Sequence, residues 1–228
     1  MIKLVVLDIA GTTVHDGDSV GACFKAALAK VGVQPPEREI AAVMGLPKPD
    51  AVRILMKGAG RTPTDEEVNA LHADFTAQMI DYYAHNPAVR EIPGASQAIA
   101  ELRAAGMKVA LNSGFGRSIV EVLMKRLGWN AIVDATICSD EVANGRPHPD
   151  MIQVLMKRFA IQDPKQVAKV GDTWSDLEEG VNAGCGLNLG VVTGVFTREE
   201  LVQRPHTRIL DSVIEVPALI RAFNQKNA

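Results

Sequence analysis

At 228 residues, 47% hydrophobic and 22% charged, the chain is long enough to bury a full core, either as one large domain or as a core with a modest insertion. A formal net charge of −3, dispersed Lys and Arg, and aromatics at only 4% give no basic footprint or stacking surface for nucleic acid, and no basic patch for an anionic membrane. Three distant cysteines without CxxC spacing, Cys23, Cys138 and Cys185, fit reduced buried thiols, and with no signal-peptide core and no long apolar run a cytoplasmic location is expected.

The first predicted element is a strand. KLVVL, residues 3–7, is apolar and rich in β-branched residues, as in a parallel strand buried on both faces, and it delivers Asp8 into a Gly/Thr-rich turn. Two positions on, where a second acid could assist Asp8, stands Ala10. From about Ser19 to Asn86 only helical periodicity is found, which predicts an inserted all-helical cap domain over residues 15–90. Asn86-Pro87 and the EIPGA turn mark the return to the core, residues 1–14 and 91–228. Further strands are predicted at 107–111, 131–137, 166–171 and 187–192, separated by helix-periodic segments such as GRSIVEVLMKRLG and PDMIQVLMKRFA. Strand and helix in alternation make βαβ units, hence an α/β fold with a doubly wound parallel sheet.

In such sheets the ligand crevice lies beyond the carboxyl ends of the strands. The residues there are Asp8, Asn112 and Ser113, Arg146 in the loop SDEVANGRPHPD, and Asp172 in VGDTWSD. Asp8, Asp172 and Asp176, with the Ala10 carbonyl, offer the hard oxygens that Mg²⁺ takes alongside waters and phosphate oxygens. Ser113 with the Gly114 turn amides can donate to phosphoryl oxygens, and Arg146 can neutralise them with an always-charged fork. Such a set is suited to phosphoryl transfer onto a carboxylate nucleophile.

DIAGT at 8–12, LNSG at 111–114, GRPHP at 145–149 and GDTWSD at 171–176 resemble the four motifs of haloacid dehalogenase-superfamily hydrolases, in order and across essentially the whole chain. The resemblance implies a Rossmann-like core, an aspartyl-phosphate on Asp8, a phosphoryl group held by Ser113 and Arg146, and Mg²⁺ on Asp8, the Ala10 carbonyl and Asp172, with Asp176 binding the metal directly or supporting it from behind. It also leaves a homodimer open, since cap-mediated dimers occur in the family. Phosphatases of the superfamily carry an Asp two residues after the nucleophile and a Lys where this chain has Arg146; DxAGT with an Arg is instead similar to the phosphonoacetaldehyde hydrolase, or phosphonatase, subgroup. That subgroup needs a cap lysine in a sequence like MGLxK, and residues 44–48 are MGLPK.

By that resemblance Lys48 condenses with a carbonyl β to phosphorus, and the protonated imine becomes an electron sink for the departing carbon, so no acid is needed at position 10. Bringing an amine from about 10.4 to near neutrality takes about 4 kcal/mol. A helix N-terminus beginning near Pro49 supplies only about 1 kcal/mol, so a dry pocket must supply most of it. Two residues depart from the subgroup: Ala51 stands where it places a His, and Phe115 where an aromatic hydroxyl is expected. His15 and Asp18, in the hinge leading to the cap, are candidate proton carriers in their place. Thr12, Met44 and Gly114 are the expected substrate contacts. The substrate is expected to be a small phosphonate or phosphate, with a phosphomonoesterase and a non-catalytic phosphate-ligand binding protein as the alternatives.

Overall fold

The run LVVLD forms the first strand, β1 (Leu4–Asp8), with every residue buried. Its side chains alternate between two cores: Leu4 and Val6 join Ala110, Ile137, Ile152 and Leu155, while Val5 and Leu7 join Val109 and Leu111 on the other side. Burial on both faces is why the run is continuously apolar. The computed structural model describes residues 1–15 and 17–227.

A short strand β2 (Val14–His15) follows, then four helices, α1 (Ser19–Ala29), α2 (Glu37–Ala42), α3 (Lys48–Gly58) and α4 (Asp65–His85). The chain returns through β3 (Arg90–Glu91), which pairs antiparallel with β2, so one two-stranded ribbon holds both passages of the chain through the helical segment. A Thr64–Glu67 capping box starts α4. The rest alternates: α5 (Ala95–Ala104), β4 (Lys108–Ser113), α6 (Arg117–Leu127), β5 (Ala135–Cys138), α7 (Asp150–Arg158), β6 (Val167–Gly171), α8 (Trp174–Asn182), β7 (Leu187–Val191), α9 (Arg198–Leu201), β8 (Arg208–Leu210) and α10 (Val216–Lys226). Six of these strands form one parallel sheet in the order β5-β4-β1-β6-β7-β8, with β1 between the two halves, where the strand order reverses.

Three local expectations are corrected. The strand predicted from 131 begins at Ala135, because Gly128, at φ +69°, ends α6 and a 3-10 turn over Trp129–Ala131 intervenes. The helical periodicity expected throughout 19–86 is interrupted after Ala42, where α2 stops and the chain turns away into Gly45 at φ +80°. Strand β8 is absent from the sequence reading, since three residues carry no measurable period. Cys23, Cys138 and Cys185 are all unbridged. Among the described residues no helix is long and apolar enough to cross a membrane.

Leu7 is fully buried at the centre of the sheet. Leu7→Ala is expected to lower the unfolding free energy by about 2–5 kcal/mol in urea titration; a loss below 1 kcal/mol would contradict this packing.

Candidate active site

Three adjacent strands end together. Asp8 closes β1 and pairs in register with Asn112 of β4, so Ser113 lies one residue beyond it on the neighbouring strand, and Asp172 follows the end of β6 on the other side. They border a cavity of about 520 Å³ whose lining includes Ala10, Lys48, Gly114 and Arg146. Gly11, at φ +85°, makes the turn after β1, and a Cβ there would overlap the Asp172 carboxylate. The Ser113 hydroxyl oxygen accepts the Phe115 N–H at 3.1 Å, which leaves its proton to donate.

Arg146 is buried and stands among acceptors. Its Nη1 lies 2.6 Å from Asp8 Oδ1 and 2.9 Å from Asp176 Oδ1. These are ion-pair distances without hydrogen-bond alignment, and among the described residues this Nη1 has no hydrogen-bond acceptor. Asp176 is fixed twice over: it sits in a capping box with Thr173 at the start of α8, and its Oδ1 also meets the Lys169 Nζ at 2.8 Å.

Lys48 opens α3, with Pro49 behind it in the first turn, and is only 3% exposed. Its Nζ lies 4.8 Å from the Phe115 ring centre, 5.4 Å from Phe24 and 6.0 Å from Phe75. Ala51, one helical turn on, is completely buried and brings no polar side chain. The loop before Lys48 rests on the sheet ends: the Ser175 hydroxyl donates to the Met44 carbonyl at 3.1 Å, and a Cβ on Gly114 would overlap the Gly45 and Leu46 carbonyls. Met44 also lines the cavity.

Residues 2–184 match the haloacid dehalogenase-like hydrolase family. The chain belongs to this family. It is 32% identical to the phosphonoacetaldehyde hydrolase of Pseudomonas paraeruginosa, over 100% of this chain and 94% of that one. It is 34% identical to the phosphonoacetaldehyde hydrolase of Syntrophobacter fumaroxidans, over 80% and 70%. In fold it is similar to a phosphonoacetaldehyde hydrolase-like protein from Oleispira antarctica, at TM-score 0.84 and 22% identity over 99% of this chain and 93% of that one. It is also similar to CbbY from Rhodobacter sphaeroides in complex with phosphate, at TM-score 0.77 and 22% identity over 95% and 96%.

In this haloacid dehalogenase-like hydrolase Asp8, Ser113, Arg146 and Asp172 meet at one cavity, and Lys48, at the start of α3, lines the same cavity. Thr12, expected on the substrate, turns instead to the acidic loop and donates to Asp172 Oδ1 at 2.9 Å. His15 and Asp18 both line the cavity; the His15 Nδ1 accepts the Gly17 N–H at 3.1 Å, and Asp18 is held at φ +62°. Trp174 stacks on Phe196 with ring centres 4.4 Å apart, bracing the start of α8.

Some of the site lies outside the four motifs. Lys169 and Glu179 are completely buried and belong to the same charge cluster, and Val195 donates its N–H to Asp172 Oδ2 at 3.2 Å. The readable signal for Lys169 was a charge in the middle of an apolar strand run, VAKVG, since such a residue is almost never fully buried without a partner.

The donor set fits a divalent cation. Asp8, Asp172 and Asp176 each place a carboxylate oxygen within 4.8 Å of the others. With Glu179 these carboxylates outnumber the buried cations Arg146 and Lys169, so the cluster carries excess negative charge. Burial pushes the Asp172 carboxyl well above its usual range, and the charges of Asp8 and Asp176 push it further. Burial also raises Asp8, to about 6, against the pull of Arg146. Asp176 goes the other way: despite burial, Arg146 and Lys169 hold its carboxyl below the usual range.

The sign of the pH effect follows. A carboxyl at about 6 in the folded protein and 3.8 ordinarily holds its proton more tightly when folded. Its contribution to stability is present below about 4 and lost as pH rises to about 6, a fall of about 3 kcal/mol. Metal-free protein is therefore expected to lose Tm across that window, and added Mg²⁺ near pH 5.5 to release protons and raise Tm. A Tm flat across the window, with no proton release, would contradict this electrostatic picture.

Proposed function

We propose that this hydrolase cleaves the P–C bond of a 2-oxoalkylphosphonate such as phosphonoacetaldehyde, through an aspartyl-phosphate on Asp8 and a Schiff base on Lys48. The observation that carries the reading is a buried lysine amine at the cavity of a nucleophilic aspartate that has Ala10 in place of an acid. The name shared by full-length relatives at 32% identity supports it. In this reading residues 1–14 and 91–228 form the catalytic core and residues 15–90 a helical cap that brings Lys48 over it.

Asp8, the Ala10 carbonyl and Asp172 would hold Mg²⁺, with Asp176 oriented behind them by Thr173. When bound, the ion offsets the carboxylate charge and the charge of the phosphoryl oxygens. Ser113, Gly114 and Arg146 hold the phosphoryl group, and Met44 packs against the carbon chain. The Lys48 amine adds to the carbonyl, one proton is taken up and water leaves, giving a protonated imine. An Asp8 oxygen then attacks phosphorus; the electron pair of the P–C bond moves into the adjacent C–C bond and the imine pair onto nitrogen, so the leaving group is an enamine. Protonation at carbon and hydrolysis free the aldehyde or ketone, and water cleaves the aspartyl-phosphate.

Lys48 is only 3% exposed with its Nζ among three phenylalanine rings, and withdrawal from water is the condition that a nucleophilic amine requires. Ala51 and Phe115 supply no proton, so transfer falls to water and to His15 and Asp18 on the cavity wall. The same two residues favour the second reading, a phosphomonoesterase acting on a small phosphorylated metabolite, which needs no imine chemistry.

Borohydride added during turnover of phosphonoacetaldehyde is expected to leave a reduced two-carbon adduct on the peptide carrying Lys48; turnover with no mass gain there would overturn the Schiff base. Ala10→Asp restores an acid for an oxygen leaving group and is expected to raise phosphate-ester hydrolysis about 10- to 100-fold. High ester turnover by the unaltered protein would favour the phosphomonoesterase instead.

A further inference from the structure

Arg146 comes from the loop between β5 and α7, so no strand aims it. Its direction is set by side chains from three other elements. Its Nε–H donates to Glu179 Oε2 at 3.1 Å, and Nη2 donates to the Asn112 carbonyl at 2.8 Å and to Asn112 Oδ1 at 2.7 Å. Asn112 is itself held: its Nδ2 donates to both Glu179 oxygens at 2.9 Å, and its Oδ1 also accepts from Lys169 Nζ at 2.8 Å. Lys169 reaches Asp176 Oδ1 at 2.8 Å and Glu179 Oε2 at 3.2 Å. Asn112, Lys169 and Glu179 are all at 0% exposure.

We propose that Asn112, Lys169 and Glu179 are positioning residues that lock two edges of the Arg146 guanidinium, so that the third, Nη1, is held facing Asp8. Nη1 is the edge whose N–H groups lie against the nucleophile, 2.6 Å from Asp8 Oδ1, and it also meets Asp176 Oδ1 at 2.9 Å. Those N–H groups are the ones that meet the oxygens of a phosphoryl group arriving at Asp8. A guanidinium is planar, so fixing Nε and Nη2 fixes Nη1 without any contact to it. The cluster is poorly explained by stability alone, because well-packed apolar residues commonly replace buried ion networks at no loss. The inference rests on the reading of Asp8 as phosphoryl acceptor, and it holds for a phosphonate or an ester substrate.

The test uses vanadate, which mimics a phosphoryl group in transfer, titrated by calorimetry into the full-length protein with Mg²⁺. Glu179→Gln puts an amide where three donors need an acceptor, and is expected to weaken vanadate binding about 10- to 100-fold. In an Arg146→Lys background the fork is gone, and the same change is expected to alter affinity by less than about twofold. Equal losses in both backgrounds, or wild-type affinity in Glu179→Gln with only a lower Tm, would overturn the proposal. If Glu179→Gln alone does not fold, Lys169→Met with Glu179→Gln removes one buried charge of each sign. That pair is expected to fold with vanadate affinity still down; full affinity would overturn the proposal. No vanadate binding by the unaltered protein would overturn the phosphoryl-acceptor reading and this inference with it.

Discussion

A surplus of buried negative charge at the carboxyl end of the sheet governs the rest of this molecule. Asp8, Asp172, Asp176 and Glu179 are all withdrawn from water, and taking a charge into a protein interior costs several kcal/mol even after relaxation. The chain offsets part of that cost with Arg146 and Lys169, each placed between two or more carboxylates. The remainder falls on Asp172, whose oxygens accept from the Thr12 hydroxyl and the Val195 amide, and whose carboxyl holds its proton tightly because of burial and the charges of Asp8 and Asp176. That unbalanced carboxylate suits the site to a divalent cation.

Fold and chemistry are joined at the neighbouring ends of β4, β1 and β6. Parallel strands with both faces covered bring Ser113, Asp8 and Asp172 to one edge, and the loop ahead of Lys48 settles on the same edge through Met44, Gly45 and Gly114. The close approach at Gly114 leaves no room for a side chain, so the loop before α3 and the end of β4 are in direct backbone contact there. Lys48 then stands at the start of its helix beside three phenylalanine rings and is only 3% exposed. Under the proposed function, Ala10 after β1 and Lys48 at the start of α3 are complementary, since activation of the leaving group would pass from an acid to an amine.

The residues that sequence made legible were those that break a local pattern. Asp8 interrupts an apolar strand, while Ala10 and MGLPK stood out through the resemblance to one hydrolase subgroup. The doubly wound sheet was readable for a related reason, since continuous apolar runs separated by amphipathic helices leave few other topologies. Glu179 was hidden by its neighbour: Glu178 and Glu179 are alike in sequence, and only helical phase sends one into the charge cluster and leaves the other to pair with Arg204 near the surface. Thr12 was misplaced because its hydroxyl serves a partner 160 positions away, which no local period records. Strand β8 was too short to read, and the late start of β5 depended on how a turn after Gly128 packs.

The central claim is that Lys48 activates a carbon leaving group for attack by Asp8. It is tested most directly by measuring phosphate release from phosphonoacetaldehyde and from small phosphate monoesters, with the unaltered protein and with Lys48→Arg, each shown to be folded by its Tm. Release from phosphonoacetaldehyde that exceeds release from the esters, and that disappears in Lys48→Arg, is the expected result. Phosphonoacetaldehyde turnover that survives Lys48→Arg, or turnover of esters alone, would contradict it.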